Sequence, residues 1–298
     1  MKKLIALIAL VSLFSCEKII EYDLPNPGNK ITVQAFFTQA DTISALVGES
    51  SYVLGNSGPT ADPNAQVYLY RNEVVLDTMM PVLFTSYFDN STGREVPIYR
   101  YYSDYTADLG QEYRIEASKG DLPKVSGSTT VPAAIQIELV SGDSISNEYE
   151  IQILDNAKAS DQYLLRCKIR TAGSDASYYA YMTFTDPSIL SFSDGGDDPF
   201  DGSGEVYTQE AFVSGEFFVS GRKNIQLEVD AFFSNPNDKL TMEVVKITEE
   251  YFKFKRTAAA YANYFELFSE PAQIFSNVNG GYGIIASGAL STVELENK

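Results

Sequence analysis

Five carboxylates crowd one short stretch of this sequence: Asp194, Asp197, Asp198, Asp201 and Glu205, set among Gly195, Gly196, Gly202 and Gly204. Calcium is held by several carboxylate and carbonyl oxygens, and glycine lets a loop wrap around an ion. The spacing is not that of an EF-hand, because the alternating ligands and the central glycine are misplaced. Two readings stand, a calcium loop and a solvated acidic turn. Ser220 and Lys223 match Ser-x-x-Lys by letters, but in hydrolases that pair needs a helical turn. Gly221 and Asn224 between two strand patterns predict a hairpin turn instead. Gly280-Gly-Tyr-Gly283 has neither the lysine nor the strand-to-helix setting of a phosphate loop. No spacing among the 40 acidic residues singles out a glycosidase acid and base.

The chain has no histidine. That removes the usual general base of Ser and Cys hydrolases and the commonest metal ligand. The expectation is a protein that is not an enzyme. The net charge of −18 repels phosphates, so nucleic acid is excluded as a partner. Aromatic side chains offer a different chemistry. Tyr87 and Phe88, with Tyr99, Tyr101 and Tyr102, form two dense groups that suit a recognition surface or stacking on sugars. Ordinary cross-strand pairing is the plainer reading.

One cysteine lies where modification is expected. Lys2 and Lys3 precede an apolar run, Leu4 to Phe14, too short to span a bilayer and of secretory-signal length. Leu13-Phe-Ser-Cys16 then resembles a bacterial lipobox. Residues 1–15 are read as a lipoprotein signal peptide, with Cys16 carrying a covalent diacylglycerol and an N-acyl chain, anchors that together hold a protein stably on the bilayer. Residues 16–29, with Pro25 and Pro27, read as a lipidated tether. The other cysteine, Cys167, lies on the apolar face of Tyr163–Arg170 and reads as a buried, inert thiol.

The body that carries these residues reads as mainly β. Ile31–Ala35, Gln66–Tyr70 and Glu112–Glu116 alternate apolar with polar, and turn signals separate them. Residues 30–132 are assigned to an immunoglobulin-like β-sandwich. Residues 133–298 are assigned to a second β-sandwich-like domain, with strands at Ile135–Leu139, Asn224–Asp230 and Leu240–Val244. A helix is expected at 248–268. Thr248 is its N-cap, and Tyr251, Phe254, Ala258, Tyr261, Phe265 and Phe268 form one apolar stripe. Ile274–Ser276 and Ile284–Leu290 read as closing strands.

The C-terminal stretch carries a resemblance. Glu270-Pro-Ala-Gln-Ile-Phe-Ser-Asn-Val-Asn-Gly-Gly-Tyr-Gly-Ile284 looks like the closing signature of a Bacteroidota outer-membrane lipoprotein family, domain of unknown function 4249. Lys30–Gln34, Leu109–Ile115 and Thr129–Ile135 resemble its upstream segments. The resemblance implies an outer-membrane lipoprotein, often encoded beside a TonB-dependent receptor, and it supplies no catalytic residues. The expected function is therefore a non-catalytic accessory or substrate-capturing subunit of a larger outer-membrane β-barrel complex, with a TonB-dependent receptor-like partner. A stand-alone glycan-binding surface lipoprotein is the alternative. The cell-surface face of the outer membrane is favoured over the periplasmic face. Thr42, Thr78 and Ser144 each sit between Asp and an apolar residue, resembling the O-glycosylation acceptor pattern of the same phylum.

Overall fold

The computed structural model describes residues 28–50, 63–89, 93–143, 146–174, 176–192, 205–231, 237–262 and 273–295. The fold is mainly β, as the period-two patterns indicated. The first half holds β1 (Ile31–Thr38), β2 (Thr42–Glu49), β3 (Gln66–Arg71), β4 (Val74–Asp89), β5 (Arg94–Thr106), β6 (Glu112–Ser118) and β7 (Val125–Thr130). The second holds β8 (Gln136–Asp143), β9 (Glu148–Leu154), β10 (Gln162–Arg170), β11 (Ser177–Phe184), β12 (Ile189–Ser191), β13 (Val206–Thr208), β14 (Ala211–Ser214), β15 (Arg222–Asp230) and β16 (Lys239–Ile247). Helix α1 (Glu249–Ala262) and β17 (Tyr282–Leu295) close the chain.

One mixed sheet runs through the molecule in the order β5–β2–β1–β17–β16–β10. Its pairs are antiparallel except β1–β17, which run parallel with Thr32 opposite Tyr282 and Thr38 opposite Gly288. The pairs β4–β3–β6–β7 extend it on one side, and β8–β9–β15–β11–β13 on the other. Strands β4 and β11 turn the corners, since each pairs in both layers.

Two apolar cores result. Alternate residues of β1 (Ile31, Val33, Ala35, Phe37) pack with Leu69, Tyr113, Ile115 and Val125 in the first. Phe37 meets Tyr113 edge-on at 5.9 Å. The second gathers Ile151, Ile153, Tyr163, Leu165, Cys167, Ile225, Met242 and Val244. Each large apolar side chain so buried contributes about 1.5–3 kcal/mol. Strand β17 serves both cores, because Ile285 lies in the first and Leu295 in the second.

The closing signature is what seats β17 beside β1. A Cβ on Gly281 would lie 2.3 Å from Ile31 O, and one on Gly283 would lie 1.9 Å from Val33 O. Gly283 also has φ +120, a backbone state that L side chains rarely adopt. Asn277 holds the new strand from the side. Its Nδ2 donates to Ile285 O at 2.8 Å, and its Oδ1 accepts from Ile285 N at 2.9 Å. Ser276 Oγ accepts from Gly283 N at 3.1 Å. Ile274–Ser276, expected as a strand, forms none. Phe275 N donates instead to a side chain, Thr257 Oγ1 of α1, at 2.9 Å.

Helix α1 covers the outer face of the central sheet. Tyr251 stacks on Phe36 at 4.0 Å, and Phe252 meets Phe192 and Phe212 at 5.3 and 5.9 Å. Leu164, Val245 and Ile247 are buried beneath them. The expected helix of 248–268 is described as far as Ala262, and the remainder lies outside the described residues. Thr248 does not cap with its side chain, as its Oγ1 is buried without a partner. Its backbone carbonyl accepts from Tyr251 N at 3.1 Å instead.

Candidate functional site

Strands β4 and β5 run past the strands that flank them. β3 pairs with β4 only from Val74 to Met79, and β2 pairs with β5 only from Arg100 onward. Beyond both limits Leu83–Phe88 and Glu95–Tyr99 form a two-stranded arm, with Leu83 opposite Tyr99 and Tyr87 opposite Val96, and Met80–Val82 lead into it opposite Tyr102–Arg100. The register shifts between Leu83 and Thr85, which leaves Phe84 as the bulged residue.

The arm is apolar and open to solvent. Met80 is 65% exposed, Phe84 54% and Phe88 63%. Val82, Leu83 and Tyr87 are exposed as well. The alternation that buries one face elsewhere fails here. Tyr87, Val96 and Ile98 line one side, and Phe88, Leu83 and Tyr99 the other. Phe84 lies under the Arg100 guanidinium at 4.7 Å, a cation–π contact that joins the bulge to the body of the sheet.

The aromatic candidates from the sequence divide accordingly. Tyr87, Phe88 and Tyr99 lie on the arm. Tyr101 is fully buried in the first core, where its hydroxyl accepts from Ala65 N at 2.9 Å, so it offers nothing to a ligand. Its place in β5 turns it inward, next to the outward-facing Tyr102, which is half-buried. Cys16, Asp194, Asp197, Asp198, Asp201 and Ser144 lie outside the described residues. Glu205 stands just before β13 and lines a groove of about 480 Å³ with Asp143, Glu148, Glu150 and Glu228. Among the described residues no group of His, Cys, Asp or Glu is placed to hold a metal ion. Thr42 and Thr78 are exposed on β2 and β4.

Several ionic groups away from the arm are tied into pairs. Lys246 Nζ lies 2.7 Å from Asp155 and 2.8 Å from Asp161 at the end of the second core. Tyr163 donates its hydroxyl proton to Asp155 at 2.6 Å. Burial opposes the charge on Asp161, yet hydrogen bonds from Lys246 Nζ and Lys158 N outweigh it and hold the carboxyl below its usual range. Burial likewise opposes the charge on Lys246, and its two carboxylates raise its pKa. Glu243 is buried between Arg166 at 3.1 Å and Tyr179, whose hydroxyl donates at 3.3 Å. Lys223 binds Asp186 at 2.6 Å. The Ser220–Lys223 stretch is the hairpin turn expected from Gly221: Ser220 and Gly221 have φ +52 and +74, and Val219 and Arg222 exchange both backbone hydrogen bonds.

The match to one family extends over residues 17–293. The chain belongs to that family, described as Domain of unknown function (DUF4249). No curated protein matches it. The DUF4249 chain thus has its closing signature explained as architecture: the glycines and Asn277 dock β17 against β1.

Sequence reasoning passed over two features of the DUF4249 chain. One is the aliphatic part of the arm, Met80 to Leu83, whose signal was an unbroken apolar run between turn segments. The other is the stack of Tyr181 on Tyr207, centroids 4.7 Å apart and both rings exposed, beside Thr183 and Glu228. Cys167 fits its expected description. It is fully buried, and burial and then Glu243 push its thiol up to about 12. Ellman's reagent is expected to find no reactive thiol in folded Cys16→Ala protein and one equivalent in denaturant; rapid reaction of the native protein would contradict the burial.

Proposed function

We propose that this chain is a non-catalytic outer-membrane lipoprotein, anchored through acyl chains on Cys16, that works as an accessory or substrate-capturing subunit of a larger β-barrel assembly. The observation that carries the reading is the β4–β5 arm, an exposed apolar surface of the kind that marks an interaction site rather than a soluble monomer's exterior. Two further points support it. Carboxylates such as Asp161 and Asp186 sit in ion pairs that keep them ionised, which suits structural pairing and leaves them no proton to donate at neutral pH. The lipobox-like Leu13-Phe-Ser-Cys16 also supports the reading, because it supplies an acyl acceptor for attachment.

Replacing the acyl acceptor tests the anchor. Cys16→Ala is expected to move the protein from the membrane pellet to the soluble fraction, and labelled palmitate is expected to enter only the wild type. Equal membrane retention of both forms would end the proposal. A second reading, a stand-alone glycan-binding lipoprotein, draws on the exposed Tyr181–Tyr207 stack, because parallel aromatic rings at a surface suit sugar faces. Tyr207→Ala abolishing retention on a glycan column, in protein that extracts as a monomer, would favour it.

A further inference from the structure

We infer that the β4–β5 arm binds by strand addition to an extended segment of a different polypeptide. The inference rests on the reading of the chain as a subunit of an assembly. Three occupants can be weighed for an exposed apolar hairpin: the lipid bilayer, a second copy of this chain, and another protein.

The backbone argues against lipid. Among the described residues, no strand pairs with the outer edge of β4 beyond Met79 or with that of β5 before Arg100. An open edge leaves main-chain N–H and C=O groups that hydrocarbon cannot satisfy, so sheets enter the bilayer core only when closed. The same edges are templates for an added strand, which supplies those hydrogen bonds and leaves side-chain pockets on both faces for specificity.

Charge and composition argue against a second copy and for a distinct protein. The whole chain carries −18, so arm-to-arm pairing would bring two strongly acidic bodies together. The arm itself is nearly neutral: Asp89, Arg94, Glu95 and Arg100 at its margins cancel, and it contains no lysine. Met, Tyr, Phe and Arg are the residues enriched at protein–protein interface cores, where Lys, Asp and Glu are depleted. Met80, Phe84, Tyr87, Phe88, Tyr99 and Arg100 match that composition. A two-stranded ribbon with two apolar faces is only marginally stable in water. Covering both its faces and one edge with a partner removes that instability.

The test places a photoreactive benzoyl-phenylalanine at Phe84, Phe88 or Tyr99 in turn, in full-length protein in its own membranes, with Val140 as an exposed control on β8. The expected result is an adduct with one other polypeptide from each arm position and none from Val140. The sites of attachment should move stepwise along a single extended segment of that polypeptide as the probe moves along the arm. Adding Val82→Asp and Leu83→Asp to the probe-bearing protein should reduce adducts at least tenfold without lowering the melting temperature. Adducts with lipid alone, with a second copy of this chain, or scattered over a partner would overturn the inference, as would none at all. Native sedimentation after mild extraction separates the two levels: a large complex without arm adducts overturns strand addition alone, whereas a lone monomer overturns the assembly reading as well.

Discussion

Gly283→Ala is expected to destabilise the protein by about 3–5 kcal/mol and to lower its melting temperature by on the order of 10 °C. Two costs combine. The alanine must adopt φ +120, and its Cβ must occupy space 1.9 Å from Val33 O and 2.8 Å from Val33 C. Both obstacles are backbone atoms of β1, so relief requires the parallel β1–β17 pairing to open. That pairing carries Ile285 into the first core. The loss is therefore expected to appear first as faster amide exchange at Gln34–Thr38. Gly93→Ala provides the comparison. Its φ is +67 and its Cβ would meet nothing within 4 Å, so only backbone strain remains, about 1–2 kcal/mol. Equal destabilisation by the two variants would contradict the seating role assigned to the closing glycines.

The second large effect is expected from Lys246→Met. Methionine preserves most of the side-chain volume but leaves Asp155 and Asp161, 16% and 20% exposed, facing each other without their shared cation. Removing one member of a buried ion pair costs about 3–5 kcal/mol, and the partial exposure here reduces that to about 2–4 kcal/mol. The loss has a defined dependence on pH. Asp161 is held below its usual range, so its stabilising contribution is complete above the unfolded carboxylate value of about 3.9 and disappears as pH falls through its lower folded value. The pKa of Lys246 is raised, so its contribution is complete below about 10.4 and fades as pH rises through the higher folded value. Denaturant titrations should show a constant gap between wild type and variant from about pH 6 to 9. The gap should narrow below about pH 5, as protonation relieves the two carboxylates of the variant. A gap that widens on acidification would contradict the assignment.

The strands with one wet and one buried face were legible because their pattern is local. Ile31, Val33, Ala35 and Phe37 alternate in the sequence and are alternately buried in β1. The union of β1 with β17 was not legible, because it joins residues about 250 positions apart and the closing glycines look like an ordinary turn until Val33 is placed against them. The same limit applies to the ion pairs. Nothing near Asp155 in the sequence marks Lys246 as its partner, 91 residues away. On the arm, the aromatic density of Tyr87, Phe88 and Tyr99 was visible, but density alone did not separate them from Tyr101. What separates them is where the flanking strands end: β2 still pairs with β5 at Tyr101 and has ended by Tyr99. Exposure there is a property of neighbouring strands, not of the residues themselves.

The native mass of the full-length protein after mild detergent extraction from its own membranes is the most direct test. Wild-type protein is expected in one defined complex larger than a single copy of the chain. A Phe84→Asp, Phe88→Asp double variant is expected to melt at the wild-type temperature yet run alone. A wild type that extracts as a monomer, or a double variant that stays fully in the complex, would contradict the account.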